Sequence, residues 1–566
     1  MDNKKYKKIV VGLHIGHDRS TSIIQNGKLI GFLAEERIDR IKHSPSTQLP
    51  LNSMYKLLKY LNINLEEVFY FAVSYAFVNI ESIIELLKDE LMIELNRNDI
   101  IVEGISHHLA HAYSTFYTSP FNKSMILVAD GAGDIVNDKI EAESLYIADK
   151  NKIKLVEQRL QDIPSSYAER KTFYKLPYII PQDYHKQISL ARKYEQITYL
   201  LGFKWGQSGK TMGLAPYGND IIKLDKKFVK DTTIDLTIND ILKEIDQLIK
   251  DNNSSYTIFI DKNKKHIAKS IQNILEKIVI EYIENLYNIY KIGNLCLAGG
   301  LFLNCVLNHK ILKNTKIQNI HIIPSSGDDG QSIGAAFYLY KKYFGNIINK
   351  KSISPFLGLS YSNTFILETL KEYKMKYEFL TDSELIKEIT SLLEKGFVLG
   401  LLRGRSEMGP RALGHRSILA SPKEYYTREH LNRYVKHRET FRPFAPIVTA
   451  DEQFKYFDLE AESPYMLYTA NIKAKYRVKL GAIAHIDGSS RVEAISKEED
   501  SFLFNLLKEF KNISSFPMLL NTSFNLAGEP IIESPSDAIR TFLKSNIDFL
   551  VLENYIIKKD YCNEIS

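Results

Sequence analysis

In the run His107-His108-Leu109-Ala110-His111-Ala112-Tyr113, two histidines stand four residues apart. On a helix such residues share a face, roughly 5–6 Å apart at Cβ, so His107 and His111 can grip one metal ion. With 14 histidines in 566 residues such a pair also arises by chance, and a plain polar helix face is the alternative reading. Two carboxylates, Asp130 and Asp328, each follow an apolar strand, and both reach one cleft if those strands share a sheet. Two histidines plus carboxylate oxygens with an open position form the ligand set of non-haem iron(II), with zinc and manganese as alternatives. A metalloprotease is excluded, because His108 stands where H-E-x-x-H carries its catalytic glutamate.

Further residues suit anion chemistry. The turns Asp130-Gly131-Ala132-Gly133-Asp134 and Gly299-Gly300-Leu301-Phe302-Leu303-Asn304 follow strands. They can present backbone N–H groups to phosphates, with helix N-termini behind them. Ordinary turn chemistry explains either one alone. Ser208-Gly209-Lys210-Thr211 imitates the end of a Walker A loop, but Lys204 stands where its first glycine belongs. The densest cluster is Arg403-Gly404-Arg405-Ser406-Glu407-Met408-Gly409-Pro410-Arg411-Ala412-Leu413-Gly414-His415-Arg416-Ser417. Glycine and proline prevent a surface helix there, and the arginines suit bidentate recognition of phosphate or carboxylate. Lys436, Arg438 and Arg442 add cations, and Asn521-Thr522-Ser523-Phe524-Asn525 adds short polar side chains. A basic surface patch is the alternative.

The elements that must position these residues read as α/β. Strands are predicted at 8–14, 21–25 and 28–34, the last two joined by the hairpin signal Asn26-Gly27. This opening resembles that of actin-like ATPase domains. Helical periodicity follows near 51–62 and 80–95 and through much of 220–290, and strands are predicted at 125–129, 294–298 and 319–323. Composition shifts around 345–362, which predicts a boundary between domains 1–355 and 356–566. Beyond it a helix is predicted near 383–395 and strands at 397–402 and 517–520, with no internal repeat apparent.

Bulk properties fit this reading. The length exceeds the roughly 250–300 residues of a single core. Hydrophobic content of 44% and charged content of 25% are ordinary for a globular protein. A net charge of +6 permits an anionic substrate without requiring nucleic acid. Cys296, Cys305 and Cys562 form no C-x-x-C pair, so no disulfide framework is expected. The basic Met1–Lys8 stretch precedes no unbroken apolar run. The expectation is a soluble, cytoplasmic protein without a signal peptide or membrane span.

Taken together, the motifs resemble the O-carbamoyltransferases of the nodulation-factor and antibiotic-tailoring family (the NodU/CmcH/TobZ type). The resemblance runs over nearly the whole chain. It rests on His17-Asp18, Glu35-Glu36-Arg37, His107 to Ala112, Asp130-Gly131, Met212 to Gly218, Gly299-Gly300 to Asn304 and Gly327-Asp328. Gly409 to Gly414, Phe441 to Pro446, His485 to Gly488 and Asn521 to Asn525 are the most specific matches.

The resemblance implies an actin-like (ASKHA) metal- and nucleotide-binding domain followed by a YrdC-like α/β domain. It implies ATP with Mg2+ and carbamoyl phosphate as substrates, carbamoyl-adenylate as intermediate, and a hydroxyl-bearing small molecule or nucleoside as acceptor. By position, Arg411, Lys436 and Arg442 would hold carbamoyl phosphate and the adenylate, helped by Asn521 and Ser523. His107, His111, Asp130 and Asp328 would bind iron(II), beside a nucleotide cradled by Gly131, Gly133, Gly299, Gly300 and Asn304. His14 or His17 would take the hydroxyl proton.

Two residues depart from the family pattern. His415 replaces the usual Asn and has no assigned role, and Arg19, where a small residue is common, bears on the acceptor pocket. Two rival functions are a tRNA threonylcarbamoyl-adenosine-type enzyme and a non-catalytic actin-like nucleotide sensor. A homodimer is left open.

Overall fold

The computed structural model describes residues 8–76, 78–163, 188–224, 226–345, 347, 353–423 and 425–559. The basic stretch 1–7, Cys562 and the centre of the composition shift at 348–352 lie outside these residues.

Strand β1 (Ile9–Ile15) is buried along its whole length, which is why it reads as a nearly unbroken apolar run. It pairs antiparallel with β2 (Ser20–Gln25), which turns into β3 (Lys28–Ala34) through Asn26 and Gly27. Both turn residues have positive φ, 52° and 80°, as a two-residue type I′ hairpin requires. β4 (Tyr70–Tyr75) and β5 (Ile101–Ile105) then add in parallel, giving the order β3-β2-β1-β4-β5.

The chain then lays down the same pattern again. β6 (Lys123–Ala129), with its short extension β7 (Ile135–Val136), pairs antiparallel with β8 (Lys139–Asp149), and β8 with β9 (Ile153–Asp162). A small ribbon, β10 (Val229–Lys230) with β11 (Thr233–Ile234), intervenes. β12 (Asn294–Ala298) and β13 (Asn319–His321) then extend the second sheet in parallel. Strand for strand, β9-β8-β6-β12-β13 repeats β3-β2-β1-β4-β5 in order and direction. This duplication is invisible in the sequence.

Two helices exchange places between the sheets. His107–Tyr117 follows β5 yet packs on β6 and β12, and Gln331–Phe344 follows β13 yet packs on β1 and β4. They meet where a Cβ on Gly334 would overlap the Ala110 carbonyl. That contact, one turn into each helix, sets the N-terminal residues His107 and Gln331 side by side. Gly334→Val is therefore expected to abolish cooperative folding, measured as loss of the thermal transition. A wild-type melting curve would contradict the close crossing.

A third, ten-stranded sheet lies wholly in the later part of the chain. Its strands are β14 (Glu378–Phe379), β15 (Leu399–Leu402), β16 (Arg416–Ala420), β17 (Ala445–Thr449) and β18 (Phe457–Asp458). They continue with β19 (Tyr468–Ile472), β20 (Ser489–Ile495), β21 (Met518–Ser523), β22 (Phe549–Leu552) and β23 (Tyr555–Lys558). The order is β14-β23-β22-β15-β16-β21-β17-β20-β19-β18. The fold is α/β throughout, and no helix among the described residues is long and apolar enough to cross a membrane.

The predicted helices near 51–62, 80–95 and 383–395 appear as Leu51–Tyr60, Ile80–Leu95 and Asp382–Glu394. The strand predicted at 319–323 ends earlier, at His321.

The two departures from the family pattern have structural work. The His415 ring stacks on Phe356 at 3.6 Å between centroids, and its nitrogens contact Asp500 Oδ2 and the Arg405 carbonyl, each at 2.6 Å. His415→Ala should cost about 2 kcal/mol of stability, read by urea denaturation, and an unchanged midpoint would remove this role. Arg19 is engaged with its own region of the chain. Its guanidinium binds the Ser44 carbonyl at 2.9 Å, Ser44 Oγ at 2.7 Å and Asp39 at 3.2 Å, and so pins the loop that carries His43.

Candidate active site

The His107–Tyr117 helix starts at His107, whose backbone N–H donates to Asp134 Oδ2 at 2.8 Å, while Ser106 at the N-cap makes no side-chain cap bond. His111 lies one turn on, and both rings are fully buried with centroids 5.0 Å apart. Asp130 leaves the end of β6, and Asp328 opens the turn that leads into the Gln331–Phe344 helix. Asp130 Oδ2 lies 3.1 Å from His107 Nε2 and 3.6 Å from His111 Nε2. Asp328 Oδ1 lies 3.4 Å from each. One ligand atom from each of the four residues falls within 4.8 Å of all the others. The carboxylate orientation is fixed from behind, since Asp130 Oδ1 accepts from the backbone N–H of Gly131 at 2.8 Å and of Gly300 at 3.2 Å.

Electrostatics bind this group tightly. Burial disfavours a charged His107, but Asp328 and Asp130 outweigh it and push its imidazole well above the usual range. Gln331, not singled out from the sequence, is buried with Nε2 at 2.9 Å from His107 Nε2 and 3.3 Å from His111 Nε2. Its position at a helix N-terminus was its only sequence signal.

His14 and His17 flank the group differently. His14 Nδ1 contacts Ser74 Oγ at 2.9 Å, while its buried Nε2 has no partner among the described residues. Burial pulls its pKa down to about 3, although Asp328 opposes this. His17 bridges two carboxylates, with Nε2 3.0 Å from Asp328 and Nδ1 2.9 Å from Asp18. They overcome its burial and raise its pKa well above the usual value. Asp18 also meets His43 Nδ1 at 2.8 Å, the His43 backbone N–H donates to Glu36 at 2.7 Å, and Trp205 stands edge-on to the rings of His17 and His43.

The glycines permit close approach. Gly299, with φ of 100°, crosses the backbone of β6, where a Cβ would overlap the Ala129 carbonyl. A Cβ on Gly133 would meet Glu141 and His108, and Gly131 faces Arg192. The Asn304 side chain is occupied: it caps the Cys305–Asn314 helix by accepting from Leu307 N at 3.1 Å, and it donates to Gln272 at 3.0 Å.

The four arginines of the 403–417 run separate by job. Arg416 donates to the carbonyls of Leu359, Gly404 and Glu533, Arg405 to those of Gly358, Ile30 and Leu357, and Arg403 pairs with Asp382. These three brace the fold. Arg411 is different: its Nη2 reaches the Leu303 carbonyl at 3.5 Å and its buried Nε has no partner among the described residues.

Other cations gather around Arg411. Burial, then Arg491 and Arg442, draw its guanidinium down to about 9. Burial and the arginines Arg442 and Arg491 likewise depress Arg438, and Arg442 is lowered by burial and to a smaller extent by Arg491, with Glu439 opposing both. Arg491, missed in the sequence, extends from β20, and its buried Nε also has no partner among the described residues. Lys436 is saturated, donating to the Ser523 and Asn525 carbonyls at 2.7 Å and to Asn525 Oδ1 at 2.8 Å. It thus holds the turn that carries Ser523. Asn521 is buried and donates to Ala412 O at 3.2 Å and Glu493 Oε2 at 2.7 Å. Clustered guanidinium groups repel one another. Glu439, already paired with Lys210, is the carboxylate that opposes this at Arg438 and Arg442, and an anionic ligand relieves what remains.

The motifs of the two regions meet around this cluster. Tyr217 packs against Phe441 and His485, Lys210 pairs with Glu439 at 2.6 Å, and Arg37 donates to the Gly409 carbonyl at 3.2 Å.

Comparison with known proteins adds an independent finding. Residues 54–337 match the family model described as "Carbamoyltransferase N-terminus", and residues 390–559 match "Carbamoyltransferase C-terminus". An uncharacterised protein of Synechocystis sp. (sll1178) is 30% identical over 96% of this chain and 95% of its own length. Nodulation protein NolNO of Sinorhizobium fredii is 28% identical, covering 96% of this chain and 79% of the relative. Nodulation protein U of the same species is 25% identical over 94% of this chain and 96% of the relative.

Proposed function

The chain belongs to the carbamoyltransferase family and is an enzyme of that class, and from that premise we propose an ATP-dependent O-carbamoyltransferase that draws on carbamoyl phosphate and acts through carbamoyl-adenylate. The carrying observation is the coexistence of two dissimilar centres, the His107/His111/Asp130/Asp328 group and the buried guanidinium cluster around Arg411.

Residues 356–566, as a YrdC-like domain, form the adenylate. The atom balance requires that carbamoyl phosphate first give carbamate and phosphate with one water consumed. A carbamate oxygen then bonds the α-phosphorus of ATP and pyrophosphate leaves. Arg411, Arg442 and Arg491 hold the phosphates and offset the charge that gathers on their oxygens. Lys436 keeps Ser523 and Asn525 in place.

Residues 1–355 carry out transfer. The strand order β3-β2-β1-β4-β5, repeated in the second sheet, supports an actin-like reading. Two imidazole nitrogens and two carboxylate oxygens within 4.8 Å form a mixed donor set that fits iron(II), and zinc or manganese accept the same donors. When bound, the metal supplies Lewis-acid stabilisation of negative charge. Gly131 and Gly300 orient Asp130, and the helix N-termini at His107 and Gln331 favour an anionic nucleotide nearby. The acceptor oxygen bonds the carbamoyl carbon and AMP leaves. His14, kept unprotonated by burial and with Nε2 unpartnered among the described residues, can accept the hydroxyl proton where the carboxylate-bound His17 cannot.

Incubation of the protein with carbamoyl phosphate, ATP and iron(II) tests this reading. Carbamoyl-adenylate, pyrophosphate and phosphate should form together, and AMP should follow when a hydroxyl acceptor, or water in its absence, takes the carbamoyl group. Consumption of carbamoyl phosphate without pyrophosphate would refute the adenylate.

A further inference from the structure

We propose that Glu493 and Asn521 read the carbamoyl group itself, accepting hydrogen bonds from its NH2 and so excluding acyl phosphates that carry carbon in its place. This inference rests on the reading of the guanidinium cluster as the carbamoyl phosphate site, and adds what that site selects for.

Guanidinium groups recognise phosphate and are blind to what the phosphate carries. Something else must tell a carbamoyl group from an acetyl group, which differs only by methyl for amino. Glu493 and Asn521 have the chemistry and the position. Both are 1% exposed, and Asn521 Nδ2 donates to Glu493 Oε2 at 2.7 Å. That bond leaves one oxygen on each residue, Glu493 Oε1 and Asn521 Oδ1, buried with no partner among the described residues. Buried acceptors without donors are costly, and a primary amide brings two N–H donors.

Register ties the pair to the cations. Glu493 lies two residues beyond Arg491 on β20, and Asn521 two residues before Ser523 on β21, so each pair shares a sheet face. Between these strands β17 sets Ala445 opposite Asn521 and Ile447 opposite Glu493. The other hydrogen bond of Asn521 goes to the carbonyl of Ala412, next to Arg411. The two free oxygens therefore border the arginines that hold the phosphate. Burial is the main influence raising the Glu493 carboxyl well above its usual range, with Glu407 adding to it and the Asn521 N–H opposing. N–H donors brought by a ligand favour the ionised form, so binding of the carbamoyl NH2 displaces the proton that burial favours and leaves Oε1 as an acceptor.

The test compares carbamoyl phosphate with acetyl phosphate in the full-length protein with ATP, reading pyrophosphate release. The wild type should prefer carbamoyl phosphate by roughly 10^3 or more in kcat/KM, as sites built to hydrogen-bond a substrate reject analogues that cannot. Glu493→Gln keeps the shape. Because Asn521 Nδ2 claims the remaining amide oxygen, it turns the free acceptor into a donor. The preference should then fall about 10- to 100-fold, while inhibition by inorganic pyrophosphate shifts by less than about threefold, since phosphate binding is separate.

Acetyl phosphate used within tenfold of carbamoyl phosphate by the wild type overturns the proposal without any variant. An unchanged preference in Glu493→Gln overturns it as well. Either result leaves the carbamoyl phosphate reading standing. If neither compound releases pyrophosphate with the wild type, that reading fails and this inference falls with it.

Discussion

Replacing His107 with alanine is expected to lower carbamoyl transfer by about 10^3-fold or more, the equivalent of the several kcal/mol that a Lewis acid supplies, while pyrophosphate release continues. The reason lies in the geometry: His107 Nε2 touches Asp130 and stands 3.4 Å from Asp328, so its loss removes one of four donors and leaves two carboxylates facing each other. Metal content after gel filtration should fall in parallel. Transfer is scored by mass spectrometry as gain of one carbamoyl group across sugars, polyols and nucleosides, and pyrophosphate by a coupled assay. If both half-reactions disappear in a folded His107→Ala protein, the two centres are not separable and the division of labour is wrong.

Arg411→Ala should have the opposite signature. Pyrophosphate release is expected to fall about 10^2- to 10^3-fold, the scale of removing one preorganised cation from developing charge, while bound metal is unchanged. Stability should hold or rise. The guanidinium of Arg411 is drawn down to about 9 by burial and by its arginine neighbours, so its charge is less favourable in the folded chain than in the unfolded one at neutral pH. A melting temperature that drops sharply in Arg411→Ala would mark the residue as a structural brace like Arg416.

The parts of this architecture that were legible in sequence are local ones. The i, i+4 spacing of His107 and His111 and the strand-end position of Asp130 are properties of short segments, and the structure brings them together with Asp328. Arg491 and Glu493 were not legible for a physical reason. In Ser-Ser-Arg-Val-Glu-Ala-Ile simple alternation points Arg491 and Glu493 at solvent, but from Val492 on both faces of this strand are covered, and Glu493 is buried. The arginine-rich run misled in another way. Composition treats Arg403, Arg405, Arg411 and Arg416 alike, whereas backbone carbonyls and Asp382 occupy three of them and leave Arg411 with one long contact and an unpartnered Nε among the described residues. The twofold repeat of the five-stranded pattern left no trace, because hydrogen-bonded sheet order constrains burial rather than residue identity: β1 is Ile-Val-Val-Gly-Leu-His-Ile and β6 is Lys-Ser-Met-Ile-Leu-Val-Ala.

Exchange of helices between the sheets explains why residues distant in sequence form one centre. Each helix begins at the cleft and crosses its counterpart near Ala110 and Gly334. His107 and His111 near the start of one helix and Asp328 just before the other meet as a consequence of that crossing.

The most direct measurement is a single-turnover reaction of the wild-type protein with 14C-labelled carbamoyl phosphate, excess ATP and a mixture of sugar, polyol and nucleoside acceptors, quenched at successive times. Labelled carbamoyl-adenylate should appear with pyrophosphate and then decay as AMP accumulates. Label reaching a carbamoylated product while ATP stays intact would contradict the adenylate route.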